Sequence, residues 1–189
     1  TMPPGGQQMS LDLSWTPVVK RLILGLAGIW ITFSFLRNFL ELGWSASLYQ
    51  ELGLTPHETL FEFKIWQVAT YALMHDMNSA SHILFNLLGI FFLGPSLERR
   101  WGARGFLHFF VLSAVIAGIF TLLCGLVFPQ TFGARVVGVS GSVMALLTAF
   151  SLVIPEATIL LFFVIPVKAK WLIFLALGID LLFFLPGNS

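Results

Sequence analysis

Charge is what this sequence has least of. Only 10% of its 189 residues are Asp, Glu, Lys or Arg, while 57% are hydrophobic and the mean hydropathy is +0.90. Soluble globular domains carry about 25% charged residues, so the composition excludes one and indicates an all-α polytopic membrane protein. Ten basic residues against nine acidic ones give a net charge of +1, which leaves no basic surface for nucleic acid. Cysteine is nearly absent too: Cys124 stands alone inside an apolar run, so no internal disulfide can form. His57 and His75 follow no metal-ligand spacing. Both read as interfacial residues, and neither metal nor cofactor is expected. The first apolar run is expected to be a span and not a removable signal peptide, being too long and poorly matched to a cleavage site.

What is there divides into apolar runs. Residues 1–14 read as a flexible polar tail ahead of a membrane domain over 15–189. Thr16-Pro17 has the form of a helix cap followed by a first-turn proline, and the first span is expected over Leu22 to Leu36. From Arg37 to Ala80, charges and aromatic residues are mixed, which suits a stretch lying in the membrane interface. The second span is expected from about Ser81 to Leu97, a short charged turn from Glu98 to Arg104, and a third span from Gly105 to Phe128 with His108 near its start. Ile159 to Val167 is too short to cross as helix and is expected at the interface. A fifth span is expected from Trp171 to about Leu185, interrupted only by Asp180. One intramembrane charge is a thin basis for a transport path.

The stretch with chemical character is Gly138-Val139-Ser140-Gly141. From Ser140 the apolar run reaches only to Ile154, about 22 Å of helix against a hydrocarbon core of about 30 Å. Its first turn is therefore expected to lie recessed, and such backbone is tolerated only beside protein or a water-filled cavity. The unpaired amides of that turn would face the same cavity as the Ser140 hydroxyl. A nucleophile beside preformed anion donors suits acyl transfer. Ser142 points about 200° away around the helix and is the weaker candidate. Gly141, Ala145 and Thr148 also fit a plain packing helix, since small residues let backbones approach. On the second span, His82 and Asn86 share one face with Gly89; a polar pair inside a membrane marks function or an interhelical hydrogen bond.

Taken together, Trp66-Gln67 through Met74-His75, His82-Ile83-Leu84-Phe85-Asn86, Gly94 to Gly102 (Gly-Pro-Ser-Leu-Glu-Arg-Arg-Trp-Gly) and Gly138-Val139-Ser140-Gly141 resemble the rhomboid family of intramembrane serine proteases. The resemblance covers about Trp15 to Ser189. It implies a rhomboid-like helical bundle in which Ser140 is the catalytic nucleophile and His82 and Asn86 help form the oxyanion hole. Gln67 stands where many bacterial relatives have Arg. The resemblance also implies a histidine base on a sixth helix, and no histidine follows Ser140. Five spans are thus expected here with the sixth absent, and the non-methionine Thr1 agrees with a chain trimmed from a longer one.

The implied activity is that of a serine endopeptidase cleaving transmembrane segments of other proteins within the lipid bilayer, near the outer face. A pseudoprotease that binds such clients without cutting them is the alternative. Seven of the ten basic residues fall on one side if the N-terminus is cytoplasmic, and a bacterial cell membrane is the expected location.

Overall fold

The computed structural model describes residues 14–40, 43–77, 79–161 and 165–174. Helix α1 spans Pro17–Asn38, α2 Gly43–Leu52, α3 Pro56–Phe61 and α4 Gln67–Thr70, followed by a 3₁₀ turn at Tyr71–Leu73. Helix α5 spans Ala80–Val127 and α6 Ser140–Val153. Strands β1, Thr158–Leu161, and β2, Ile165–Lys168, pair antiparallel with Thr158 opposite Lys168. Of the expected fifth span, only its first residues lie within this description; residues 175–189, Asp180 among them, lie outside it, as do residues 1–13.

Helix α1 and α5 are each long and apolar enough to cross a membrane. As one rod, the 48 residues of α5 would reach about 72 Å, more than twice a hydrocarbon core. Gly102 prevents that. Its φ of +74° and ψ of +163° break the helix, in a region that a residue with a Cβ rarely enters. The two arms, 80–101 and 103–127, fold back on each other, so that Phe106 packs beside Gly94. The charged turn expected over Glu98 to Arg104 is therefore corrected: every residue of it except Gly102 is helical, because one glycine suffices to reverse the chain.

Helix α1 runs antiparallel to the first arm. At one end Val19 packs where Gly94 has no side chain; at the other the Trp30 indole donates to the Asp76 carbonyl at 3.0 Å. The start of α1 departs from expectation in an informative way. Thr16 occupies the cap position without making a side-chain cap bond. The cap comes instead from Glu98: its carboxylate accepts the Thr16 hydroxyl and the amides of Val18 and Val19, the latter two at 3.0 and 2.9 Å. An anion is favourable at this helix end because the unpaired amides and the helix dipole both present positive charge. Glu98 is buried, although it sits in a run of charges that reads as solvated.

Helix α6 lies between the arms of α5. Gly89 of the first arm receives Val143, whose Cγ1 lies 2.5 Å from where a Cβ would stand, and Gly141 faces Ala117 of the second arm. After α6 the segment expected as one interfacial piece, Ile159 to Val167, is a two-stranded hairpin. Thr158, Ile159, Ile165 and Val167 favour strand geometry, and Pro166 is tolerated because an edge strand does not need its missing donor. Glu156 holds Lys168 and Lys170 at 2.6 and 2.7 Å. These two bonds, with little opposing desolvation, keep its carboxyl at a pKa of about 2.

Candidate active site

The chain enters α6 through a pinned loop. Leu54 and Val136 exchange backbone hydrogen bonds of 3.0 and 2.8 Å, and the Gly138 amide donates to the Tyr71 carbonyl at 3.0 Å. Gly138 takes a φ of +106°, which only glycine adopts readily. The first intrahelical amide bond is Val143 to Val139 at 3.0 Å, so the amides of residues 140–142 stand outside the helix ladder. Ser140 opens the helix and is exposed. Ser142 is buried and donates to the Phe110 carbonyl at 2.9 Å, which places it in packing. The packing reading also holds for Gly141, against Ala117, but not for Ser140.

His82 and Asn86 reach the same place from the first arm of α5. The arm and α6 both run inward from this end, with Gly89 meeting Val143. Asn86, three residues before Gly89, is therefore level with Ser140, three before Val143. Asn86 is buried and its Nδ2 donates to the His82 carbonyl at 3.1 Å. That bond is local to its own helix, so among the described residues it ties no two helices together. The His82 ring lies over Gly138, where a Cβ would come within 2.9 Å of its Cε1 and 3.0 Å of its Nε2. Only glycine leaves room for the ring. Ser140, His82 and Asn86 are thus gathered at one end of α6, with no hydrogen bond between the Ser140 side chain and the other two.

One residue of this cluster has a different place from the expected one. His75 is not interfacial but 2% exposed, its ring centroid 5.5 Å from that of His82, and its Cδ2 lies 3.4 Å from where a Gly138 Cβ would be. Neither ring nitrogen makes a hydrogen bond of good geometry with a described residue, the Leu73 backbone offering only a weak contact. It lies in an irregular loop where no periodicity reveals burial; the Met74-His75 pair among the family-like motifs was the available signal. His57 is exposed and lies between the Phe61 and Phe132 rings. His108 is exposed on the second arm near Gly102, far from this end.

Burial, assisted by the neighbouring His82, lowers the His75 pKa to about 4. In the unfolded chain the ordinary value is about 6.5. Between these values the unfolded chain binds the extra proton, so stability is complete above pH 6.5 and is lost as pH falls toward 4, by about 3 kcal/mol. His75→Gln is expected to flatten that part of the pH–stability profile, measured by reversible unfolding from pH 7 to 4; an unchanged slope would show that His75 is not the group responsible.

Gln67, the first residue of α4, is fully buried. Its Oε1 accepts the Thr55 amide and the Thr59 hydroxyl at 3.1 and 2.8 Å, and its Nε2 donates to Glu58 at 3.0 Å. Glu58 also binds Lys64 at 3.1 Å and Arg135 at 2.9 Å. Partial burial works against the Glu58 anion, but Gln67 and the two cations hold its pKa below the usual carboxylate range. Arg135 belongs to the segment leading to Ser140, so this cluster ties α3 to the entrance of α6. Among the described residues no group of three side chains could hold a metal ion.

A family model described as eukaryotic integral membrane protein (DUF1751) matches residues 21–187. Rhomboid protease GlpG of Salmonella paratyphi A is 30% identical over 131 residues, covering 69% of this chain and 41% of that protein, and GlpG of Salmonella typhi matches equally. RHOMBOID-like protein 12, mitochondrial, of Arabidopsis thaliana is 27% identical over 190 aligned positions, covering 94% and 53%. The chain therefore spans about half or less of the length of these curated relatives. A eukaryotic family description and a mitochondrial relative do not support a bacterial cell membrane, though they agree with an integral membrane protein. By the match over residues 21–187, with relatives named as rhomboid proteins, the chain belongs to the eukaryotic integral membrane protein family DUF1751, a rhomboid-related family.

Proposed function

We infer that the chain is the membrane domain of a serine endopeptidase that cleaves transmembrane segments of other membrane proteins. The observation that carries this reading is Ser140, exposed at the first turn of α6, beside His82 and level with Asn86. In this reading Ser140 attacks the scissile carbonyl, and the oxyanion accepts hydrogen bonds from the free first-turn amides, His82 and Asn86. The reaction asks for no metal or cofactor, but it needs a proton acceptor, because a serine hydroxyl is a weak nucleophile without one. The resemblance puts that acceptor on a histidine of a helix following the fifth span, acting as general base and then general acid. Charge distribution supports a cytoplasmic N-terminus: Lys20, Arg21, Arg99, Arg100 and Arg104 gather at the end of the bundle opposite Ser140, so substrates would reach the serine from the other side.

A pseudoprotease is the second reading, favoured by the Ser140 side chain making no hydrogen bond with a described histidine. A fluorophosphonate probe applied to the full-length protein separates the two. Labelling at Ser140, slowed about 10²- to 10³-fold by Asn86→Ala, is the expected result, since loss of one oxyanion donor typically costs that much. With a transmembrane substrate, the same variant is expected to lower kcat and leave KM nearly unchanged. Folded protein that retains a transmembrane client but takes no label would establish the binding-only reading.

A further inference from the structure

At the end of the bundle opposite Ser140, Trp15, Thr16, Pro17, Lys20, Arg21 and Leu24 line an open groove of about 440 Å³. Lys20 and Arg21 are exposed and form no ion pair with a described residue. Among the described acids toward this end, Glu98 is buried and committed to Thr16, Val18 and Val19 and Glu156 pairs with Lys168 and Lys170, so neither pairs with Lys20 or Arg21. Arg99 reaches Ser14 at 3.2 Å, which brings the cations of α5 to the same end. Below the two cations, Leu24, Gly25, Gly28 and Ile31 continue one exposed face of α1 at helical spacing. A Cβ at Gly25 or Gly28 would meet nothing within 4 Å, so the face is notched there.

We propose that this groove binds an anionic phospholipid. Lys20 and Arg21 take the headgroup phosphate, the Trp15 indole lies at headgroup depth as interfacial tryptophans do, and an acyl chain runs past Leu24 into the notch at Gly25 and Gly28. Phosphate alone would satisfy the two cations. The apolar stripe directly beneath them, at the depth where acyl chains begin, favours a lipid over a free anion. The site lies far from Ser140 and does not depend on whether that serine cuts peptide bonds.

The test uses full-length protein in neutral detergent, titrated separately with phosphatidylglycerol, phosphatidylcholine of the same chains, and soluble glycerol 3-phosphate. Native mass spectrometry counts the bound molecules and thermal unfolding reads their effect. Phosphatidylglycerol is expected to bind saturably and raise the melting temperature, with phosphatidylcholine doing neither. Lys20→Gln and Arg21→Gln should each weaken phosphatidylglycerol about fivefold. Gly28→Leu, which fills the notch on an exposed face, should weaken the lipid and leave glycerol 3-phosphate unaffected. Equal binding of the two lipids, or an unchanged affinity in the Lys20→Gln/Arg21→Gln double variant, would overturn the proposal. So would glycerol 3-phosphate binding as tightly as phosphatidylglycerol with Gly28→Leu without effect, which would identify a free-phosphate site instead.

Discussion

Ser140→Ala in the full-length protein is expected to abolish cleavage of a transmembrane substrate while leaving insertion and thermal stability unchanged. The two halves of that expectation rest on different observations. Stability should hold because the Ser140 side chain is exposed and forms no hydrogen bond with a described residue; exposed substitutions of this kind usually fall within about 0.5 kcal/mol. Activity should fall by a factor on the order of 10⁶, the size seen when a hydrolase loses its nucleophile and only binding and oxyanion contributions remain. Ser142→Ala should behave oppositely. Its buried hydroxyl bonds the Phe110 carbonyl, so its loss costs about 1 kcal/mol of stability with turnover retained. Gel-based cleavage and unfolding of both variants decide the matter. Turnover surviving in Ser140→Ala but not in Ser142→Ala would move the nucleophile two residues along α6.

Local patterns in the sequence reached the chemistry of this site but not its frame. Gly138-Val139-Ser140-Gly141 announced a helix start, and α6 does begin at Ser140; His82, Asn86 and Gly89 announced a shared face, and Gly89 does meet α6. Both signals are local, the first in backbone chemistry and the second in helical period. His75 carried no such signal. Its ring packs against Gly138 and His82, which belong to other elements, and the neighbouring Asp76 is tied to Trp30, 46 residues away in sequence. The hairpin at 158–168 was hidden for another reason: short apolar runs do not distinguish strand from other structure by periodicity. The reversal after Leu97 was signalled by its cluster of charges, yet which of those charges turned inward was not. Glu98 lies one helical turn beyond Gly94 and shares its buried face, whereas Arg99 and Arg100 face outward. Nothing in the run Glu98-Arg99-Arg100 separates them until α1 is docked.

Glu98→Ala is accordingly expected to be strongly destabilising, by about 4 kcal/mol. The carboxylate accepts from the Thr16 hydroxyl and from the amides of Val18 and Val19. All three donors are buried, Val19 completely, so water cannot take the place of the lost acceptor. Each buried donor left unpaired costs about 1–3 kcal/mol, and bonds to a charged partner lie at the upper end. The first turn of α1 would also lose the anion that complements its dipole. Glu98→Gln keeps one acceptor oxygen but replaces the other with an NH2 group that faces donors, so it should recover only part of the loss. Arg100→Ala, two residues on and exposed, provides the contrast and should stay within about 0.5 kcal/mol of wild type. The measurement is reversible unfolding of the three variants in one detergent. A Glu98→Ala protein as stable as Arg100→Ala would mean that α1 finds its position without this cap. The outcome does not depend on peptide-bond cleavage, so it tests the frame around Ser140 whether the serine is a nucleophile or part of a binding site.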